Sequence, residues 1–243
     1  MVKNYLKKAT AGIALLAMSS FASADGHSEI SYSANLGFMS DYIYRGVHQS
    51  SSSAMGGFDI EYGSFYLGTW FADLQEDGWV AGSHRGFEYD VYAGFGFDLT
   101  DSVSGYVGYT IYRYTDKGAA AFDDDYDEVN VGVSFALTDD LSLSLDYSNG
   151  ENTLTDQSEV DYDILTTTIE YMGAYFTYGD WGVSEDDTGE TDAEYIEIGY
   201  SRTVGDFDLS GAFVLSEQEL AQASDTDEDG DFSRFVMTIS TGF

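Results

Sequence analysis

The chain has 243 residues, with 9 Lys and Arg against 44 Asp and Glu, and carries a formal net charge of −35. This charge excludes a nucleic-acid partner, because electrostatic binding to phosphates needs an excess of Lys and Arg. The absence of cysteine excludes disulfides and thiolate metal sites. Aromatic residues make up 16% of the chain while the mean hydropathy is −0.22, which excludes disorder and is typical of a wall between lipid and water.

The first 24 residues have the pattern of a secretory signal peptide. Three lysines precede an apolar stretch at residues 9–18, and Ala22-Ser23-Ala24 provides small residues for cleavage. The apolar stretch is much shorter than the roughly 20 residues that a membrane-spanning helix needs. We therefore expect cleavage before Asp25 and one domain over residues 25–243.

From residue 30 onward, apolar residues alternate with small or polar ones, which indicates strands with one apolar face. We predict twelve strands, at residues 30–46, 55–63, 65–74, 86–98, 103–115, 126–137, 141–150, 161–172, 174–182, 194–204, 207–217 and 231–243. Tight turns such as Gly205-Asp206 alternate with longer polar loops, as in bacterial outer-membrane barrels with an even strand number. The expected fold class is therefore all-β, a transmembrane antiparallel up-and-down β-barrel of about 12 strands.

The last strand favours a membrane barrel over a soluble all-β protein, whose strands alternate in the same way. Barrel insertion machinery reads an aromatic last residue preceded by apolar residues at every second position. Phe243, Ile239, Met237 and Phe235 fit this pattern, and Thr241 departs from it. We expect the barrel assembly machinery as a partner, and the lipid and lipopolysaccharide of a Gram-negative outer membrane as the surroundings.

One stretch, Ser40-Asp41-Tyr42-Ile43-Tyr44-Arg45-Gly46-Val47-His48-Gln49-Ser50, resembles the SDYxxRGxxQS segment of the TorF family of porins, also called the Gcw_chp family. Residues 65–70 look like the GxYxGxW strand of that family, and residues 88–95 look like its acidic-aromatic fourth strand. Ala72-Asp73 stand where the family usually has Ser-Asn, and beyond about residue 115 the resemblance consists of the barrel pattern alone. The resemblance implies an outer-membrane barrel for a solute that it does not specify, with no catalytic residue.

Strand parity predicts which side chains line the bore. Arg113 is placed inward although both faces of its strand carry apolar residues, because a charge facing lipid costs about 2–4 kcal/mol at the bilayer midplane. The predicted pore-lining residues are Asp41, Arg45, Asp59, Glu61, Glu88, Asp90, Arg113, Glu128, Asp146, Glu197, Asp208 and Arg234. Carboxylates outnumber guanidinium groups, so we expect a weak cation preference, with no metal and no cofactor.

The size of the bore leaves two functions open. Strands about 4.8 Å apart and tilted by about 40° put the backbone of a twelve-strand barrel roughly 12 Å from its axis. Passive diffusion of small hydrophilic solutes, the function of a porin, is the favoured prediction. Alternatively, salt bridges of Arg45, Arg113 and Arg234 close the bore, and the barrel acts through its loops as a structural element, an adhesin or a receptor.

Aromatic residues near the predicted strand ends are expected to form belts at the two membrane interfaces. They are Tyr42, Tyr44, Trp70, Tyr112, Tyr114, Tyr175 and Tyr178.

A hydrolase located at the rim is the less favoured alternative. His48 and His84 are predicted in the first two external loops, near carboxylates with which a histidine could activate water. His27 lies beside the expected new amino terminus. We find no serine in a nucleophile motif, so no catalytic residue is predicted.

An acidic stretch in the last predicted loop resembles the opening of a calcium loop. Asp225, Asp227, Asp229 and Gly230 match the first ligand positions and the glycine turn, but Val236 stands where a bidentate Glu is required. An EF-hand is therefore not expected. A solvated charge run is favoured over weak divalent binding that bridges to lipopolysaccharide phosphates.

Overall fold

The computed structural model describes residues 30–75, 85–115, 125–153, 159–185, 189–217 and 232–243. Within these ranges the chain forms twelve strands: β1 (Ile30–Tyr44), β2 (Val47–Tyr62), β3 (Phe65–Gln75), β4 (Arg85–Thr100), β5 (Val103–Tyr114), β6 (Tyr126–Ala136), β7 (Leu141–Thr153), β8 (Glu159–Tyr171), β9 (Ala174–Glu185), β10 (Gly189–Val204), β11 (Phe207–Ser216) and β12 (Phe232–Gly242). Each strand pairs with its sequence neighbours, and β1 pairs with β12 to close the barrel. The predicted twelve-strand up-and-down β-barrel is confirmed, whereas the predicted signal peptide lies outside the described residues.

Alternation along each strand gives the barrel an apolar outer surface and a polar inner one. On β6, Val129 and Val131 are 47% and 44% exposed on the outside, while Glu128 and Asn130 point inward and are 1% and 2% exposed. The same division runs around the barrel, where exposed Phe, Leu, Ile, Val and Tyr side chains share the outer face. A continuous apolar sheath of this kind is far larger than the patches that proteins expose to water, and it fits contact with lipid.

The barrel closes through its first and last strands. β1 pairs with β12 from Asn35 opposite Gly242 to Met39 opposite Thr238. The backbone N–H of Phe243 donates to the carbonyl of Ala34 over 2.9 Å, which extends the seam to the last residue. A closed ladder leaves no sheet edge in the hydrocarbon region, as crossing a membrane requires.

The tight turns that join β2 to β3, β4 to β5, β6 to β7, β8 to β9 and β10 to β11 all lie at one end of the barrel, together with Ile30 and Phe243, and we call this the terminal end. Between β8 and β9, Met172 and Gly173 have φ values of 53° and 87°, which is typical of the two-residue type I′ turn of a β-hairpin. The opposite end, from which the undescribed segments between strands begin, is called the loop end below.

The β1–β2 hairpin departs from the barrel wall. Pairing with β12 stops at Met39 and pairing with β3 starts at Met55, whereas the residues between them pair across the two arms of the hairpin. β12 continues to pair with β11 as far as Phe232, so the wall extends past the point where the hairpin leaves it. We call residues 40–54 the inner hairpin, because most of its side chains from Tyr42 onward are buried inside the barrel.

The inner hairpin corrects the sequence prediction at this position. Residues 47–54 were expected to form an external loop before a strand starting at residue 55, but β2 begins at Val47. The turn consists of Arg45 and Gly46 alone, with φ values of 51° and 83°. An Arg-Gly pair is a weak sign of such a turn compared with Asn-Gly or Asp-Gly, which is why the pattern did not reveal it.

Two serines at the base of the inner hairpin form hydrogen bonds with the backbone of β12 and β3, the wall strands from which the hairpin separates. The hydroxyl oxygen of Ser40 accepts a bond of 2.9 Å from the backbone N–H of Met237. The hydroxyl of Ser53 donates to the carbonyl of Asp73 over 2.7 Å. Side chains thus replace part of the missing ladder, as an unpaired backbone group in lipid would be costly.

The division into two faces predicts that one charge has opposite effects on the two sides of β6. Val131→Lys places an ammonium group in lipid and should lower the free energy of unfolding by about 2–4 kcal/mol, measured by urea titration of the barrel in lipid vesicles. Ser134→Lys adds the same group to the inner face of the same strand and should change it much less. Equal losses in the two variants would contradict the assignment of faces.

Candidate functional site

Arg45, at the tip of the inner hairpin, crosses the bore and binds the opposite wall. Its Nη1 lies 2.8 Å from Oε1 of Glu128 on β6, and its Nη2 donates to the hydroxyl of Ser148 on β7 over 2.9 Å. Its carbonyl accepts a bond of 3.0 Å from the indole N–H of Trp181 on β9. One residue therefore ties three strands of the far wall to the hairpin.

The carboxylate of Glu128 is the centre of this contact. Besides Arg45, it accepts hydrogen bonds from the hydroxyl of Tyr162 at 2.8 Å, the hydroxyl of Tyr112 at 3.1 Å and the amide of Asn130 at 2.9 Å. Glu128 is 1% exposed. A buried carboxylate is tolerated only with such full pairing, so removal of one partner is expensive.

The arms of the inner hairpin reach the near wall. The hydroxyl of Tyr42 donates to Oε1 of Glu88 on β4 over 3.2 Å, and the hydroxyls of Tyr44 and Tyr112, on β5, are 2.9 Å apart. These bonds attach the hairpin to β4 and β5, beside the strand β6 that Arg45 contacts. The hairpin is therefore held by side-chain bonds to several strands of the wall.

The turn itself packs tightly against β10 and β11. The hydroxyl of Ser216 donates to the carbonyl of Gly46 over 2.7 Å. A Cβ at Gly46 would lie 2.6 Å from the Cβ of Tyr195, so this position needs glycine for space as well as for its positive φ. The inner hairpin thus fills the loop-end half of the bore.

Tyrosine rings occupy the space around the hairpin. The rings of Tyr112 and Tyr126 stack with centroids 4.3 Å apart, and Tyr126 meets Tyr162 edge to face at 6.0 Å. The predicted belts are wrong for six of the seven aromatic residues, because all except Tyr178 face the bore: Tyr42, Tyr44, Trp70, Tyr112, Tyr114 and Tyr175. A bore that is filled with buried polar groups needs large side chains that also carry a donor, and tyrosine supplies both.

On the inner wall of the barrel, a tyrosine can reach across a glycine to a carboxylate two strands away. Tyr106 on β5 donates to Oδ1 of Asp146 on β7 over 2.9 Å. A Cβ on the intervening Gly132 of β6 would lie 2.1 Å from the ring. We call this arrangement a tyrosine bridge.

The tyrosine bridge occurs twice more. Tyr92 on β4 passes over Gly68 to bond Asp59 on β2, and Tyr162 on β8 passes over Gly150 to bond Glu128 on β6. The glycines allow the rings to lie against the wall instead of projecting to the barrel axis. Carboxylates are thereby fixed in position on the inner surface.

The predicted pore-lining residues, with one exception, lie on the inner side. Asp41 and Arg45 belong to the inner hairpin, and the residues on inward-facing strand positions are Asp59, Glu61, Glu88, Asp90, Glu128, Asp146, Glu197, Asp208 and Arg234. Their orientation agrees with the parity prediction, and a pore-lining role stays a prediction.

Arg113 is the exception, and its predicted inward orientation is wrong. It shares the outer face of β5 with Val107 and Tyr109, each 45% exposed. Its Nη1 lies 2.9 Å from Oδ1 of Asp127, whose other oxygen accepts the hydroxyl of Tyr109 at 2.8 Å. The cost of a charge in lipid does not apply, because the pair lies at the loop end of the strand, beyond its apolar stretch.

The histidine prediction also changes. His48 lies in β2 and not in an external loop; it is buried, its ring packs on Phe232 at 5.8 Å, and its Nε2 lies 3.8 Å from Oδ1 of Asp41. It is therefore not at the rim, where a hydrolase site was considered. His27, His84 and the acidic stretch at 225–230 lie outside the described residues.

A protein-family comparison decides the identity of the barrel at the family level. The model of the family described as "Bacterial protein of unknown function (Gcw_chp)" matches residues 23–243. The chain belongs to this family. The Gcw_chp match extends over the whole barrel, well beyond the motifs in the first half that suggested it, and it includes both arms of the inner hairpin.

No curated protein matches the chain, but solved structures of porins do. The KdgM porin has a TM-score of 0.50 and 12% identity over 87% of this chain and 99% of that one. The NanC porin has a TM-score of 0.50 and 11% identity over 88% and 99% of the two chains. At these identities the similarity concerns the fold alone, and this Gcw_chp member is a porin-like barrel.

The tyrosine bridge over Gly132 generates a stability prediction. Gly132→Ala should displace Tyr106 and break its bond to Asp146, and it should lower the free energy of unfolding by about 1–3 kcal/mol, as overpacking usually does. The matched control is Gly242→Ala, where a Cβ would meet nothing closer than 3.7 Å. We would measure the urea unfolding midpoints of both variants. If the two midpoints fall equally far below that of the wild type, the account is contradicted.

Proposed function

We propose that this protein is a porin of the Gram-negative outer membrane, which lets small hydrophilic solutes diffuse passively, with a weak preference for cations, and whose inner hairpin limits conduction. The observation that carries the proposal is a polar inner surface enclosed by an apolar sheath. The terminal end would face the periplasm and the loop end the exterior, in contact with lipid and lipopolysaccharide. Insertion by the barrel assembly machinery would use the last strand.

The charge of the inner surface supports the cation preference. Nine predicted carboxylates lie inside the barrel, against the guanidinium groups of Arg45 and Arg234. Arg45 is already neutralised by Glu128. An acidic lining lowers the energy of a cation in the pore and raises that of an anion.

The same acidic lining does not suit the ligand that is named for one of the structural neighbours. One KdgM porin structure is a complex with disordered oligogalacturonate, a polymer of acidic sugars. Carboxylates on the inner surface of the present barrel would repel such a polyanion. Small cations and neutral solutes fit the charge better.

The inner hairpin supports a restricted and variable conductance. Side-chain bonds hold it to the far wall, whereas continuous backbone ladders hold the strands to each other. Segments attached in this way open at a lower free energy than the surrounding sheet. Displacement of residues 40–54 would widen the loop-end half of the bore without breaking the barrel.

A permanently closed barrel that acts through its loops is the second candidate, and the contacts of the inner hairpin around the bore favour it. Conductance separates the two, since a closed barrel carries no current. Neither candidate includes a chemical step, and a rim-located hydrolase is not proposed because His48 is buried inside the barrel.

The gating role of the inner hairpin predicts a gain of conduction in one variant. Arg45→Ala removes the buried ion pair with Glu128 and should raise the ratio of open to closed channels at least about tenfold, since about 1.4 kcal/mol corresponds to a factor of ten. Planar-bilayer recordings of single channels measure this ratio.

Arg202→Ala is the matched control, because it removes the same charge from an exposed position near the terminal end. It should leave the recordings unchanged. If Arg45→Ala conducts no better than wild type, the hairpin does not limit the current. Complete absence of current in both would favour the closed barrel.

The selectivity part of the proposal depends on carboxylates in the terminal-end half. Asp59→Asn combined with Glu61→Gln removes two partly exposed carboxylates from the inner face of β2 and should move the reversal potential under a salt gradient toward zero. Asp206→Asn, in the exposed β10–β11 turn, should not. An anion-selective wild type, or an unaltered reversal potential in the double variant, would refute the cation preference.

A further inference from the structure

Two carboxylates beneath the inner hairpin lack the partners that buried charges need. Asp90 is 0% exposed and Glu88 is 1% exposed, and both lie on the inner face of β4 two residues apart. Both side-chain oxygens of Asp90 and Oε2 of Glu88 have no hydrogen-bond partner. Three carboxylate oxygens are thus buried on one face of β4 without a hydrogen-bond partner.

No basic side chain of the described residues compensates these charges. Arg45, the nearest cation of the inner hairpin, is used by Glu128 and Ser148. The hydroxyl of Tyr42 donates to Oε1 of Glu88 over 3.2 Å, and Tyr114 is a second hydroxyl neighbour of this carboxylate, but neither brings a positive charge. Because a buried carboxylate without a counter-charge is strongly unfavourable, the pair must either take up a proton or bind a positive ligand.

We propose that Glu88 and Asp90 hold a divalent cation, Ca²⁺ or Mg²⁺, beneath the inner hairpin. Carboxylate oxygens are the preferred ligands of both ions, and two carboxylates match the charge of one divalent ion. Among the described residues no group of three or more His, Cys, Asp or Glu could hold a metal ion, so the two carboxylates would be the only charged ligands and the others would have to be neutral oxygens.

The surroundings of Asp90 provide an approach and a role for the ion. Along the inner face of β4 the next residue toward the terminal end is Tyr92, whose hydroxyl bonds Asp59, so carboxylates continue from the terminal-end half of the bore to the site. On the other side, Glu88 is bonded to Tyr42 of the inner hairpin. The ion therefore stabilises the hairpin in the bore, and it would do so equally in a conducting or a closed barrel.

Calorimetric titration of the folded barrel with Ca²⁺, and separately with Mg²⁺, tests the proposal. The wild type should bind one ion. Asp90→Asn and Glu88→Gln should each bind it at least about tenfold more weakly. Asp206→Asn, in an exposed turn, is the control and should bind it as the wild type does. The ion should raise the urea midpoint of the wild type and not of Asp90→Asn. Identical binding in wild type and both carboxylate variants, or no binding by the wild type, would overturn the proposal.

A spectroscopic measurement locates the ion even if one of these variants fails to fold. Trp70 is the backbone partner of Asp90 and its ring packs on Tyr42 at 5.4 Å. Terbium, which substitutes for Ca²⁺, should therefore give luminescence excited through Trp70, and Trp70→Phe should remove most of it. Unchanged emission from Trp70→Phe would place the ion elsewhere and overturn the assignment.

Discussion

A backbone that crosses lipid must satisfy all of its own hydrogen bonds, and this constraint determines the rest of the structure. It requires the ladder to close between β1 and β12. It also explains the base of the inner hairpin, where β1 and β2 leave the wall. There the hydroxyl oxygens of Ser40 and Ser53 bond the exposed backbone of β12 and β3. The hairpin can therefore fold inward while side chains replace part of the missing ladder.

Once the wall is closed, the bore must be filled with groups that satisfy one another, and tyrosine does this throughout the molecule. At the loop end, tyrosine hydroxyls and Arg45 surround Glu128. At the terminal end, Tyr106 reaches Asp146 across a glycine. The two halves thus differ in construction: the terminal-end half carries fixed carboxylates on its wall, and the loop-end half holds the inner hairpin.

Sequence parity predicted the two faces well where one face is clearly apolar, as on β4 and β6, since a strand has no third direction for its side chains. It was wrong for Arg113 for two reasons. β5 carries apolar residues on both faces, so parity did not decide the direction of the side chain. The cost of a charge facing lipid then favoured the inside, but this cost applies only within the membrane. Sequence parity also missed the inner hairpin. Alternation describes which side chains share a face, but the direction that a hairpin takes is decided by long-range contacts such as Arg45 with Glu128, which no local pattern contains.

The central claim is that the tip of the inner hairpin crosses the bore to Glu128. A solid-state NMR distance measurement between the guanidinium nitrogens of Arg45 and the carboxyl carbon of Glu128, on the barrel in lipid bilayers, tests it most directly. The structure predicts a direct guanidinium–carboxylate contact, as the atoms Nη1 and Oε1 are 2.8 Å apart, and the signal should disappear in Glu128→Gln labelled in the same way. A barrel in lipid that shows no such contact would place the hairpin outside the bore and contradict the account.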